Sequence, residues 1–323
     1  MRILITGAGG FIGANLTRKM ATNGHDVHAM LHPTSNPWRL ADIQNSITLH
    51  TADLRDPASI KITLENAKPD WIFHLAVYGA YSWQNQDGDI LCTNVLGTMN
   101  LLQNALRQGF DAFINTGSSS EYGFKNHPPS EEEWLEPNST YSASKIAATL
   151  FCKHQAQSTN SRIATMRLYS VYGPWEEPKR LVPALVLNGL FGRYPPLTNP
   201  ATARDYVFVD DVIDAYVLAA EKTGQGTGDI FNVGTGIQTS IADMVDITED
   251  LFPGRGIPQW GSMKDRNWDT DIWICDPSKL KKLGWKPKNS LKTGLRLLTD
   301  WMSSSEQIKN IYKSKLLPAK LAA

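Results

Sequence analysis

Apolar residues in the first half of the chain fall into short runs separated by stretches of helical spacing. The strand-like runs lie near 3–6, 27–31, 47–50, 71–76 and 112–116. Between the first two, Phe11, Ile12, Leu16 and Met20 recur on one helical face. Brief apolar runs closed by turn residues read as strands buried on both faces, as in a parallel sheet. Strands alternating with helices predict an α/β fold, a doubly wound parallel sheet covered on both sides. Asn94 to Leu106 and Tyr141 to Gln155 predict two long helices with apolar faces. Past Gly173 the chain becomes richer in Pro, Gly and Trp, which predicts a smaller lobe. The expected organisation is a first domain over 1–173, a second lobe over 174–310 whose chain crosses back to the first, and a loosely held polar tail over 311–323.

The first strand runs into Thr6-Gly7-Ala8-Gly9-Gly10-Phe11-Ile12-Gly13. Gly7, Gly10 and Gly13 fall on a turn and the first turn of the following helix. A pyrophosphate needs backbone free of Cβ atoms and a helix N-terminus aimed at it. The spacing is Gly-x-x-Gly-x-x-Gly and departs from the usual dinucleotide fingerprint. Strand, turn and helix together predict a Rossmann-type site for a nicotinamide dinucleotide, with Phe11 and Ile12 at the start of the helix. The second strand ends Leu31-His32 and continues Pro33-Thr34-Ser35-Asn36-Pro37-Trp38-Arg39. An acidic residue at that end would bind the ribose 2′-hydroxyl of NAD. None stands there. His32, Ser35 and Arg39 offer donors and positive charge that suit a 2′-phosphate, so NADP(H) is favoured and NAD is the alternative. Asp53-Leu54 after the third run suits the adenine, and Leu75 and Ala76 after the fourth let a cofactor lie close.

The fifth run ends in Thr116-Gly117-Ser118-Ser119-Ser120-Glu121-Tyr122-Gly123. Hydroxyls at the carboxyl end of a parallel strand face the ligand crevice. Tyr141 and Lys145 lie four residues apart at the start of a helix, hence on one face. An alcohol yields hydride to a nicotinamide only as its proton leaves, and a ketone accepts hydride only as a proton arrives. A free tyrosine, with a pKa of about 10, is a poor base at neutral pH. A nearby ammonium and a cationic nicotinamide favour the phenolate. Tyr141 is therefore the candidate acid/base, Lys145 its support and Ser118 the holder of the substrate oxygen.

Composition narrows the partners. The 323 residues carry zero net charge, so nothing favours nucleic acid or an acidic membrane surface. No apolar run reaches transmembrane length and the N-terminus has no signal-peptide layout. Cys92, Cys152 and Cys275 are isolated, forming neither a disulfide framework nor a metal pattern, and a cytoplasmic setting fits.

These motifs resemble the extended short-chain dehydrogenase/reductase family, in its nucleotide-sugar epimerase/dehydratase branch. The resemblance covers nearly the whole chain. Gly7, Gly10 and Gly13 match the family's cofactor turn, and Ser118, Tyr141 and Lys145 match its catalytic set. Arg167-Leu168-Tyr169-Ser170-Val171-Tyr172-Gly173-Pro174 matches the segment that brings substrate-side backbone to the nicotinamide, with Tyr169 on the cofactor and Ser170 on the substrate. Tyr169-Ser170 replaces a commoner Pro/Phe–Asn pair. Ala203-Arg204-Asp205-Tyr206 and Arg266-Asn267-Trp268-Asp269 match substrate segments. There the resemblance implies that Arg204 and Arg266 hold a diphosphate and Asp269 the ribose, with Ser119 and Ser120 beside the sugar. It also implies a homodimer built on the two long helices.

The branch implies hydride transfer at C4 of a nucleotide-diphosphate sugar. Similarity to reductases of CDP-4-keto-dideoxyhexoses favours a 4-ketoreductase, with a UDP-sugar-type 4-epimerase as the alternative. A 4,6-dehydratase is disfavoured, because Ser119 and Ser120 stand where its acid would be. A cofactor sensor without catalysis is disfavoured by the retained Tyr141–Lys145 pair.

Overall fold

A computed structural model describes residues 1–263 and 272–316. The first half builds β1 (Arg2–Thr6), α1 (Phe11–Thr22), β2 (Asp26–Leu31), β3 (Thr48–Thr51), α2 (Pro57–Ala67) and β4 (Trp71–His74). It continues with α3 (Asp87–Leu91), α4 (Gly97–Gln108), β5 (Ala112–Ser118), α5 (Thr140–Thr159) and β6 (Ile163–Leu168). Local chemistry sets several boundaries. Asp56 accepts a hydrogen bond from the Ala58 amide and Pro57 opens α2. Ser139 and Ser142 cap α5 reciprocally, which starts that helix one residue before Tyr141. Between α3 and α4, Cys92–Leu96 forms a single π-helical turn.

The second half supplies β7 (Ser170–Tyr172), α6 (Leu181–Leu190), β8 (Ala203–Phe208), α7 (Val209–Lys222) and β9 (Ile230–Val233). It ends with β10 (Gln238–Ser240), α8 (Ile241–Glu249), α9 (Ser278–Leu283), α10 (Leu291–Ser303) and α11 (Glu306–Leu316). A seven-stranded parallel sheet has the order β3-β2-β1-β4-β5-β6-β9. The strand order reverses at β1 and β4, and the crevice at that switch point is where such sheets bind ligands. One apolar cluster covers each face of the sheet, with Ile3, Ile5, Phe73 and Ile114 on one side and Leu4, Ile72 and Phe113 on the other. That two-sided burial is why the strands read as near-continuous apolar runs.

A smaller sheet, β10-β8-β7, packs with α6, α8, α10 and α11 around a third cluster that includes Leu185, Phe208 and Met244. Two expectations change here. The strand expected over 71–76 stops at His74, which leaves Leu75 and Ala76 on the crevice wall. The expected tail is not loose through Leu316. Residues 306–316 form α11, and Tyr312 is fully buried in the third cluster.

Candidate active site

The glycine turn is packed so closely that side chains are excluded. Gly7 has φ +66°, and a Cβ there would lie 2.6 Å from the Ala76 nitrogen. A Cβ on Gly13 would lie 2.2 Å from the Gly7 carbonyl oxygen. Gly10 caps α1 without a side chain, and no acidic residue occupies the first turn. The amides around Phe11 and Ile12 are therefore left for an anion, and both residues line the cleft. These features fit a dinucleotide pyrophosphate. Thr6 Oγ1 meets His74 Nδ1 at 2.7 Å and accepts from the Ala76 amide at 3.2 Å, locking the ends of β1 and β4. His74 Nε2 meets Thr98 Oγ1 at 2.8 Å. Burial, then the charge of Lys145, push the His74 pKa down to about 3, so the ring is a neutral strut.

At the end of β2, His32, Thr34, Ser35 and Asn36 line the cleft with Asp53, Leu54 and Arg55. Arg55 grips the Asp53 carboxylate at 3.0 and 2.8 Å, and this bond holds the acid down at about 2. His32 Nε2 lies 3.4 Å from the same carboxylate. Arg39 requires a correction. Its Nε donates to the Trp175 carbonyl at 2.7 Å, Nη2 reaches Glu177 at 3.4 Å, and the guanidinium stacks on Trp38. It is 8% exposed and does not line the cleft, and its Nη1 donates to the Gly9 carbonyl at 3.5 Å, so it fastens the loop after β7 to the glycine turn instead of facing a ribose phosphate. Arg55, which the sequence did not single out, is the arginine on this wall.

Ser118 ends β5 and lines the cleft with Tyr141, whose phenolate its side chain favours. Ser118 Oγ also accepts from the Ser120 amide at 3.1 Å. Burial pushes the Tyr141 pKa up to about 12, and burial pulls that of Lys145 down. Both shifts are the cost of burying a charged form. Tyr141 lines the cleft while Lys145, 4% exposed, lies behind it. Asn94, in the π-helical turn, was also not singled out. Its amide donates to the Tyr78 carbonyl at 2.8 Å and to Ser144 Oγ at 2.9 Å, and its oxygen accepts from the Tyr78 amide. It thus ties the cleft wall after β4 to the helix carrying Tyr141, and a π turn is a frequent device at such positions.

Toward the second lobe, Tyr169, Ser170, Arg204 and Trp273 line the same cleft. Ser119 and Ser120 line it from the other side. The Trp273 indole donates to Ser119 Oγ at 3.1 Å, bridging the lobes, and the Arg204 guanidinium lies 5.3 Å from the Trp273 ring centre. Asp205, beside Arg204, points inward and accepts from the amides of Thr235, Gly236 and Cys275. Arg266 and Asp269 lie outside the described residues. The cleft encloses about 1940 Å³. Single drug-sized ligands occupy roughly 300–1,000 Å³, so it has room for a dinucleotide and a second ligand end to end.

Comparison with known proteins agrees with this layout. Residues 3–234 match the NAD dependent epimerase/dehydratase family. Over 318 residues the chain is 31% identical to a UDP-glucose 4-epimerase of Mycolicibacterium smegmatis, covering 95% of this chain and 100% of that protein. Its fold superposes on a UDP-glucose 4-epimerase of Thermotoga maritima solved with UDP-glucose, with a TM-score of 0.85, 26% identity and coverage of 94% and 99%. It also superposes on the dTDP-glucose 4,6-dehydratase of Streptomyces venezuelae solved with NAD, with a TM-score of 0.83, 26% identity and coverage of 95% and 100%. The glycine cradle, the Ser118–Tyr141–Lys145 grouping and these full-length likenesses have one explanation: the chain is an enzyme of the NAD dependent epimerase/dehydratase family, within the extended short-chain dehydrogenases/reductases.

Proposed function

We propose that the protein is a 4-epimerase of a nucleotide-diphosphate sugar with NAD as its resident cofactor. The observation that carries this reading is Tyr141 and Ser118 lining one cleft, between a dinucleotide cradle and an arm holding Arg204. The full-length likeness to a UDP-glucose 4-epimerase supports the choice within the family. A bound nicotinamide supplies the removal of hydride from C4 and its return. Tyr141 takes the proton of the 4-hydroxyl and restores it after the keto sugar has turned over. Ser118 holds the C4 oxygen, and the ammonium of Lys145 stabilises the Tyr141 phenolate. Arg204 faces the diphosphate, for which a planar guanidinium is well matched.

Two features weigh against 4,6-dehydration. Ser119 and Ser120 carry no acid, and the neighbouring Glu121 is fully buried in an ion pair with Arg167. One feature favours a second reading, an NADPH-dependent 4-ketoreductase. The β2 end presents His32, Thr34 and Ser35, with Arg55 across from them and no unpaired carboxylate for a ribose 2′-hydroxyl. The exposed Leu96 and Leu150, on the π turn leading into α4 and on α5, support a homodimer joined through these helices. Three unpaired cysteines support a reducing, cytoplasmic setting.

Denaturing purified protein and identifying the released nucleotide, then incubating fresh protein with UDP-glucose and other nucleotide sugars, tests both readings. Retained NAD and a mixture of 4-epimers are expected. Empty protein that oxidises NADPH only with a nucleotide-linked 4-keto sugar overturns the epimerase in favour of the reductase.

A further inference from the structure

Glu121 is 0% exposed, directly behind the reaction centre, and the reading above leaves it without a task. Its Oε1 accepts from the Ser118 amide at 2.8 Å and from the Thr149 hydroxyl at 3.1 Å. Its Oε2 accepts from Arg167 Nε at 2.8 Å. Arg167, 1% exposed, also donates to Tyr122 Oη at 2.9 Å and to the Glu131 carbonyl at 3.2 Å. Tyr122 donates in turn to Asn232 Oδ1 at 2.7 Å. One carboxylate therefore joins the end of β5, α5 one turn beyond Lys145, and β6. The backbone makes room for it: a Cβ on Gly117 would stand 2.7 Å from Glu121 Oε1.

We propose that Glu121 is a positioning residue of the reaction centre, fixing Ser118 to the helix that carries Tyr141 and Lys145 and placing a buried negative charge behind them. The proposal rests on the reading of Tyr141 as acid/base. The Arg167 guanidinium pairs with the Glu121 carboxylate at 2.8 Å, a charge-assisted contact with both partners buried. Its charge opposes formation of the Tyr141 phenolate and favours the Lys145 ammonium. The other groups acting on Tyr141 come from several elements: Ser118 at the end of β5, Arg180 ahead of α6, and Tyr81 after β4. Tyr216 on α7 and Lys145 on its own helix complete the surroundings, with His74 on β4 and Cys152 on α5 beside the ammonium. Arg180 favours the phenolate, Tyr81 opposes it, and Glu121 is the fully buried carboxylate of the set. The consequence is that the Glu121 charge adds to burial in holding the Tyr141 proton and counters burial at Lys145.

The test needs no sugar. Tyrosinate absorbance is titrated with saturating NAD, and the curve of the matching Tyr141→Phe protein is subtracted to isolate Tyr141. Glu121→Gln keeps an oxygen for Ser118 and Thr149 but removes the charge, and is expected to lower the Tyr141 midpoint by about one to two pH units. Glu121→Asp keeps the charge, and its midpoint is expected to stay close to wild type. An unmoved midpoint in Glu121→Gln overturns the proposal. If lone Arg167 prevents that variant from folding, Glu121→Gln/Arg167→Met is compared with Arg167→Met, two proteins that differ only in the Glu121 charge, and equal midpoints in that pair overturn the proposal. A failed sugar assay would refute the proposed reaction and leave this titration unaffected.

Discussion

The phenol of Tyr312 donates a 2.7 Å hydrogen bond to the backbone carbonyl of Glu176, 136 positions earlier in the chain. Around that bond, Trp38, Trp175, Trp301 and Tyr312 pack ring against ring. The last helix is thereby docked onto the loop that Arg39 also grips. Tyr312→Phe should lose about 1 kcal/mol, one hydrogen bond's worth. Tyr312→Ala should lose about 3–5 kcal/mol through the cavity left behind. Denaturant unfolding measures both, and equal losses would mean that the ring contributes nothing beyond its hydroxyl.

Glu176 leads to a prediction about pH. Burial raises its pKa to about 8, and the Arg180 contact at 3.7 Å offsets only part of that. Its Oε2 is buried without a hydrogen-bond partner. The folded protein therefore holds a proton that the unfolded chain releases near its ordinary carboxyl pKa. Between that value and about 8 the unfolded state binds fewer protons, so stability falls as pH rises. Glu176→Gln should remove this slope, melting several degrees higher than wild type at pH near 8 and no higher at pH near 4. A parallel pH dependence in both proteins would show that Glu176 is ionised in the fold.

Tyr141→Phe should leave cofactor binding nearly intact and lower turnover by about 10²–10⁴-fold, the usual share of a positioned acid/base. Fluorescence titration with nicotinamide nucleotides and a C4 epimerisation assay separate the two effects. Turnover near wild type would remove Tyr141 from the chemistry.

The two arginines near the β2 end should behave differently. Arg55→Ala should lower the ratio of NADPH to NADH affinity several-fold, because Arg55 lines the cleft beside His32. Arg39→Ala should lower the melting temperature and leave that ratio unchanged, because its guanidinium is engaged by Trp175, Glu177 and the Gly9 carbonyl and does not line the cleft. A change of ratio in Arg39→Ala would restore it to the cofactor site.

That contrast shows what a sequence can reveal. The glycine turn and the Tyr141–Lys145 pair are legible because each is fixed by neighbours a few residues away. Arg39 is not, since Trp175 and Glu177 stand 136 and 138 positions on and only the folded chain brings them near. Glu121 reads as an ordinary loop acid until Arg167, 46 residues later, is seen beside it. The final helix is masked by its composition: Ile308, Ile311, Tyr312 and Leu316 are set among lysines and serines, and the pattern shows its purpose only against the aromatic residues it covers. The first five strands of the sheet could be anticipated from their runs, though not their order, and β3, Thr-Leu-His-Thr, is largely exposed. β9, which enters the sheet after a long excursion, carries no signal of its destination.

That late strand has a consequence for how the protein comes apart. β9 pairs with β6 through Thr165–Ile230, Met166–Phe231, Arg167–Asn232 and Leu168–Val233, after the chain has already built β7 and β8. A fragment ending at Gly173 would strip β6 of that partner and leave a row of bare amides and carbonyls along a sheet edge. The cofactor half is therefore not an autonomous piece that a truncation could liberate. Heat or denaturant should melt both lobes in a single cooperative transition, because the thread that forms one is stitched through the other.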